Sequence, residues 1–521
     1  MKKRIISLAI ALLLVCGMPV SAFADTWYVD DGNITVNATE SGQTVSQGET
    51  TTPDDAPVIT QHDSSISTTN TVTINAAENA EANVTLSGVN IYPGDTEGFG
   101  IQTTGAGDVF IELDGTNKVV SGDKNAALEK NNDGNLTIAD SKGDGSLTAI
   151  GTTGGAGIGG AAGKSADNIT ITGGNVKATG IYFGAGIGGG NGGDGSNITI
   201  TDSAEVTAKG GDHGAGIGGG NGGEGSNITI SGSAEVTATG GNHGAGIGGG
   251  NGDSGSHITI SGGTVAATGG NFGAGIGGGY RGSGSDITIS GSAEVDAKGG
   301  ESGAGIGGGY NGSGSNITIT EDAQVKAQGG INNNSYATGA AIGNGGKDND
   351  VIGDEVEPNT DKLTPNGKIE YYAPGANMET ADPVRTVIGS YVPPQDEEKP
   401  DQPSQSAEES AEDTVYSDPL YRVIDQNGED IPHKAERKDG VLTVTVDAYF
   451  AGLTGSLGGI NALKEQGIDT IVFITNGASS AFALSDLLAQ GSTGDSYTLT
   501  HDGDTVSFML DSGADLGNIL K

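Results

Sequence analysis

The chain has 521 residues, of which 97 are glycine, 4% are aromatic and one is tryptophan, which excludes a conventional core of large side chains. Hydrophobic residues nevertheless reach 34%, which excludes simple disorder. A formal net charge of −42 repels nucleic acid and anionic membrane surfaces alike, so neither is expected as a partner.

Lys2, Lys3 and Arg4, an apolar run over 5–15 and the small residues of Ala22-Phe23-Ala24 read together as a signal peptide over 1–24, with Asp25 as the mature start. The single cysteine, Cys16, falls inside it and follows Val15 rather than the small residue that precedes a lipidated cysteine. The mature chain is therefore expected to be exported, without disulfide, thiol or thiolate-metal chemistry. Removing the three basic residues of this segment leaves 21 Lys+Arg against 66 Asp+Glu, and 21 − 66 = −45. No second apolar segment is long enough to predict a transmembrane helix.

Residues 25–56 read as an N-terminal cap or extension, with short strands at Trp27-Tyr28-Val29 and Ile34-Thr35-Val36. A solenoid over 57–375 follows. It opens with irregular pieces at 72–74, 84–86, 109–113, 136–138 and 147–149. Gly-Ala-Gly-Ile-Gly then starts at Gly155, Gly184, Gly214, Gly244, Gly273 and Gly303, and a degenerate copy starts at Gly339, at spacings of 29, 30, 30, 29, 30 and 36 residues. A constant period of this length is the signature of a repeat architecture. Each repeat holds three alternating pieces, such as Asn197-Ile198-Thr199-Ile200, Glu205-Val206-Thr207-Ala208 and Gly214-Ala215-Gly216-Ile217-Gly218, with Gly, Asn, Asp and Ser at the joints. Three short strands per coil predict a right-handed parallel β-helix, since parallel crossovers prefer that hand. Its inward columns would be Ile169 to Ile317, Ile158 to Ile306 and Val176 to Val325. Ile369-Glu370-Tyr371-Tyr372 is expected to close the far end. Residues 376–413 read as an acidic, Pro- and Ser-rich linker. Residues 414–521 read as a small α+β domain, with strands at 421–424, 441–446 and 470–475, helices near 459–465 and 480–489, and a hairpin of 497–500 with 505–509 turning at Asp502-Gly503.

The strings Gly-Ala-Gly-Ile-Gly-Gly-Gly and Asn-Ile-Thr-Ile, and the leading Leu136-Thr137-Ile138 with Gly145-Ser146-Leu147-Thr148-Ala149, resemble secreted β-helix proteins of clostridial and related gut bacteria. Such proteins are commonly described as carrying carbohydrate-binding domains. The resemblance covers roughly 57–375 and implies the fold and a glycan-binding role. Relatives carry Asp-Gly-Ile where this chain has Ala185-Gly186-Ile187, so any calcium served by that Asp is not expected here. The C-terminal region, with its run from Thr475 to Leu484, looks like a module found at the end of similar exported proteins.

Gly189-Gly190-Asn191-Gly192-Gly193-Asp194 matches the opening of a calcium nonapeptide repeat. It recurs every 29 or 30 residues rather than nine, and later coils lose the acid, so it reads as turn chemistry. A lyase needs clustered carboxylates beside a Lys or Arg base; Lys177, Lys209, Arg281, Lys298 and Lys326 are scattered, so no enzyme is expected. His213 and His243 occupy equivalent positions in adjacent coils. Phe183 and Phe272 share that column, which favours a ring ladder over a metal site. An outward Thr column (Thr199 to Thr318) leaves water ordering for ice binding as a third reading. The recurring Asn-x-Thr triplets read as strand-entry hydrogen bonding by Asn. Neither metal nor cofactor is expected.

Two columns flank the third strand. One holds Phe183, His213, His243, Phe272 and Ser302, with Tyr182 beside the first. The other holds Asn191, Asn221, Asn251, Tyr280 and Tyr310, with Arg281 next to Tyr280. Rings and amides suit sugar rings and hydroxyls. Tyr182, Phe183, His213, His243, Phe272, Tyr280, Arg281 and Tyr310 are therefore the candidate ligand contacts. The expected function is non-catalytic binding, at the cell surface or in the medium, of an extracellular polysaccharide or a host or microbial surface glycan. The alternative is a stalk or adhesin presenting a terminal domain to a protein partner.

Overall fold

A computed structural model of the chain describes residues 25–391 apart from 95–97, 332–336 and 349–350. Toward the C-terminus it describes 413–415, 421–425 and most of 431–520. Residues 1–24, read as a signal peptide, and most of the range read as linker lie outside the described residues. The chain divides into two compact units, 1–396 and 397–521.

The first unit is a parallel β-solenoid with three long sheets of 11, 11 and 13 strands. In the regular part, the first sheet takes strands such as Gly195–Ile200 and Gly225–Ile230. The second takes Glu205–Lys209 and Glu235–Thr239, and the third takes Ile187–Gly188 and Ile217–Gly218. Each strand pairs in parallel with its equivalent one coil away: Ile198 with Ile228, Val206 with Val236, Ile187 with Ile217. Like residues stack on like, and the inward columns are buried as their alternation predicts. Ile169, Ile198, Ile228, Ile258 and Ile287 are fully buried, as are Ile158 to Ile306, and Val176 to Val325 nearly so. Each coil thus hides modest aliphatic area but shares it with two neighbours, which is how a chain poor in aromatics builds a continuous core.

Two features differ from the sequence reading, the length of the third strand and the conformation of the recurrent Asn. The third strand is two residues long rather than five, because Gly188, Gly218, Gly248, Gly277 and Gly307 turn the backbone to φ between +126° and +130°. The glycine opening each Gly-Ala-Gly-Ile-Gly is required by approach: a Cβ on Gly214 would lie 2.2 Å from the carbonyl oxygen of Gly184 in the preceding coil. The recurrent Asn does not enter the strand but kinks it. Asn168, Asn197, Asn227, His257, Asp286 and Asn316 sit mid-strand at φ between +49° and +56°, and the pairing skips them. Asn and Asp tolerate this left-handed conformation better than other side chains, which explains the column.

The end regions also differ. Residues 25–56, read as a cap or extension, also supply coil strands: Thr26–Tyr28 pairs in parallel with Val58–Thr60 and Ile34–Thr39 with Val72–Ala76. The edge is covered by Gly42–Gln47 and Thr50–Pro53, added antiparallel. At the other end Lys368–Tyr372 is the last parallel strand, and Arg385–Ile388, within the range read as linker, closes it antiparallel. Arg385 holds this closure with two 2.6 Å hydrogen bonds to Glu357 and lies over the Tyr371 ring at 4.7 Å. Antiparallel caps of this kind end a parallel stack without leaving its last coil open.

The second unit is small and β-rich. One sheet orders Asp413–Val415, His433–Lys438, Val441–Thr445, Thr470–Ile474 and Ser479–Ala483; the other orders Arg422–Ile424, Phe450–Ser456, Ser496–Asp502 and Thr505–Leu510. Helices span Leu457–Glu465 and Leu484–Leu488. The expected hairpin is present, with the tip at 503–504 outside the described residues. Residues 480–483, read as the start of a helix, belong instead to the strand Ser479–Ala483, which pairs with Thr470–Ile474 and turns Ser480 and Phe482 inward. The strands at 433–438 and 450–456 were missed, the first because its charged residues carry no apolar alternation. The core gathers Phe473, Phe482, Tyr497 and Phe508. Among the described residues of both units, no helix is long and apolar enough to cross a membrane.

Candidate functional site

The structure gathers all eight candidate residues into one strip along the axis. The two columns do not stand apart across a strand. In each coil the loop around the short third strand closes on itself, with Ala215 N donating to Gly219 O at 2.9 Å. The ring residue of one coil is then tied to the second column of the next. Asn221 N donates to Phe183 O, Asn251 N to His213 O, Tyr280 N to His243 O and Tyr310 N to Phe272 O, at 2.8–2.9 Å.

Side chains follow the backbone. Phe183 stacks on His213 (centroids 5.4 Å apart, planes 9° from parallel) and His213 on His243 (4.7 Å, 19°). Phe272 continues the column 5.5 Å from His243. Tyr280 meets His243 and Phe272 edge-on at 5.3 and 5.7 Å and stacks on Tyr310 at 5.9 Å. Tyr182 lies 6.4 Å from Phe183 at one end and is 55% exposed. Arg281, exposed, holds its guanidinium 4.9 Å over the Tyr280 ring. Most ring faces are therefore turned to one another, and edges meet solvent. Beside them runs an amide ladder: Asn221 donates from its side chain to that of Asn191 and Asn251 to that of Asn221, each at 2.9 Å.

Electrostatics within the strip are uneven. The Tyr310 hydroxyl donates to Asp348 at 2.7 Å; that bond, reinforced by burial, pushes the phenol up to about 12. Burial, then the neighbouring His213, hold His243 below the usual histidine range, with Asp212 opposing. Backbone strain also gathers here. Beyond Asn and Asp, the non-glycine residues at positive φ are Lys124, Tyr182, His257, Arg281, Ser302 and Glu321 among the described residues, and three of these six border the strip. Such strain costs about 1–3 kcal/mol and is retained where the surroundings enforce it.

Other clusters were not foreseen from sequence. Asp30, Asp31 and His62 bring one ligand atom each within 4.8 Å, with Tyr28 stacked on His62. Here the backbone N of His62 already donates to both Asp30 oxygens and its ring meets Asp31, an exposed arrangement that explains itself. Lys130 is buried in an irregular coil and donates to Asn132 O at 2.5 Å, and burial pushes its ammonium down to about 8. A shallow groove on the second sheet is walled by Glu294, Asp296, Lys326, Lys368 and Glu370. Its lysines are paired, Lys326 with Asp296 at 3.4 Å and Lys368 with Glu370 at 3.0 Å. In the second unit, buried His501 bridges Thr475 Oγ1 (3.1 Å) and Ser480 Oγ (2.9 Å). A hydroxyl rather than a carboxylate orients that imidazole, so the pair pins a turn without the charge that a nucleophile's base needs.

The coil geometry defines the solenoid as a parallel β-helix. A family model described as Beta helix repeat matches residues 169–191, 198–221, 228–251, 258–280 and 287–310. Each match runs from a buried Ile of the first sheet to the Asn or Tyr of the strip. Neither a curated protein nor a solved structure matches the chain.

Proposed function

We propose that the protein is a non-catalytic binding protein, secreted or held at the cell surface, whose ligand is an extracellular polysaccharide lying along the strip. One observation carries this reading. Between residues 111 and 335 every Phe and Tyr of the sequence (Tyr182, Phe183, Phe272, Tyr280 and Tyr310) lies in this strip, in a chain only 4% aromatic. Coils repeat at roughly 4.8 Å, about half the length of a disaccharide, so an extended glycan would meet equivalent groups at regular steps. Asn191, Asn221 and Asn251 offer amides to hydroxyls, Tyr182 offers an open ring face, and the stacked rings offer apolar edges. The resemblance to gut-bacterial proteins described as carbohydrate-binding supports the same reading, and the N-terminal segment supports export.

A second reading is favoured by a specific feature. Because the ladder rings spend their faces on one another, they also suit a rigid stalk that presents another part of the molecule to a protein partner. The deciding experiment replaces Phe272, Tyr280 and Tyr310 with Ala together and measures sedimentation with insoluble plant polysaccharides and mucin. Glycan binding is supported if the parent co-sediments and the folded triple variant does not. A parent that binds no glycan is a stalk.

A further inference from the structure

Arg281 stands where the three preceding coils have glycine. Gly192, Gly222 and Gly252 adopt φ of +77°, +68° and +88°, and Arg281 is held at +62°. An L side chain is disfavoured there and glycine is not, so the chain carries arginine at the position at a conformational cost. That cost is not recovered in an ion pair. Among the described residues Arg281 has none, whereas Lys142, Lys326, Lys347, Lys368 and Arg385 each have a carboxylate partner. Lys177, Lys209 and Lys298 are likewise without a salt bridge among the described residues, but none of them is held at positive φ as Arg281 is. It is also placed: its amide donates to Tyr310 O at 2.8 Å and its Cζ lies 4.9 Å from the centroid of the Tyr280 ring. The guanidinium thus sits at the tyrosine end of the strip with no side-chain hydrogen bond among the described residues. A planar fork of this kind matches a carboxylate or a sulfate with two parallel hydrogen bonds.

We propose that Arg281 is an anchor for a single carboxylate or sulfate group on an otherwise uncharged glycan. The proposal rests on the glycan-binding reading of the strip. A densely charged polyanion is not its ligand, because a molecule of net charge −42 repels every further negative group along the chain. One anionic substituent at the tyrosine end, with neutral sugars toward Phe183, meets Arg281, the one Lys or Arg among the eight named strip residues.

The test uses Arg281→Gly, which restores the residue of the preceding coils and relieves the backbone, so the variant should melt at the same temperature as the parent or higher. Two probe pairs separate the sources of negative charge: glucuronate-bearing xylan with its carboxyl-reduced form, and a sparsely sulfated galactan with its desulfated form. The parent should bind the anionic member of one pair roughly tenfold or more tightly than the neutral member, as hydrogen bonds to charged groups warrant. That preference should shrink with salt. Arg281→Gly should bind both members alike, at the parent's affinity for the neutral one. The proposal is overturned, with glycan binding intact, if the variant keeps the parent's preference or if the parent binds both members equally. If no probe of either kind binds the parent, both readings fall together.

Discussion

His213 and His243 stack with centroids 4.7 Å apart, and the Nδ1 of each is buried without a hydrogen-bond partner. Protonating both would set two like charges face to face. His243 is held below the usual range chiefly by burial. Its unfolded form therefore takes up a proton first, and the stability it contributes is present above about pH 6.5 and lost as pH falls below. The solenoid should melt at a lower temperature at pH 5 than at pH 7. His243→Phe, which repeats the residue of Phe183 and Phe272, should narrow that gap. Equal gaps in the two proteins would show that the ladder does not sense pH.

Ile228 is fully buried in register between Ile198 and Ile258. Ile228→Asp places a carboxylate with no partner in an aliphatic column, at a cost of several kcal/mol. Because each coil leans on its neighbours, loss of strand signal in far-ultraviolet circular dichroism should extend beyond one coil. An unchanged melting curve would mean that Ile228 does not point inward.

Two glycines of one coil should respond unequally to alanine. At Gly214 the added Cβ meets Gly184 O at 2.2 Å and its carbonyl carbon at 2.6 Å, atoms fixed by the ladder; at Gly222 it meets nothing within 4 Å and only φ of +68° opposes it. Gly222→Ala should cost about 1 kcal/mol, and Gly214→Ala several times that. Chemical denaturation of the two variants checks the order, and a reversed order would mean that the coils are spaced more widely than described here.

Lys130 should make stability rise with pH. Its folded ammonium is pushed down to about 8 from an ordinary 10.5. Between those values the unfolded chain holds the extra proton, so raising pH through that window favours the fold, and below about pH 8 a penalty on the order of 3 kcal/mol persists. Lys130→Met should remove the rise between pH 8 and 10.5 and melt higher than the parent at pH 7. Parallel pH profiles for the two proteins would place Lys130 in contact with water.

The solenoid was legible because its signal is periodic. An Ile or Val recurring every 29 or 30 residues fixes both burial and register once coils stack. What sequence concealed was dihedral. Gly214-Ala215-Gly216-Ile217-Gly218 alternates like a strand, but the positive φ of Gly218 ends it after two residues, and that shortening joins the two columns of the strip. The Asn of Asn-Ile-Thr-Ile likewise reads as a hydrogen-bonding residue at strand entry until its left-handed backbone is seen. The eight strip residues stand out because rings are scarce, and the ladder of Phe183, His213, His243 and Phe272 follows from their shared column; the edge-on packing of Tyr280 against that ladder does not, since one-dimensional spacing does not say which way a ring faces. In the second unit, His433–Lys438 and Ser479–Ala483 take their identity from partner strands that local pattern does not name.

The identical pairing of successive coils makes the length of the molecule a free variable. Ile198, Ile228 and Ile258 succeed one another in register, and so do their hydrogen bonds. Excising residues 214–243 would join His213 to Gly244, set His213 against Phe272 and shorten the axis by one step of roughly 4.8 Å, with every new neighbour the chemical equivalent of the old. A gene encoding such a chain can gain or lose a coil in one recombination event without meeting a misfolded intermediate, so reach along the axis can evolve faster than the sequence of any single coil.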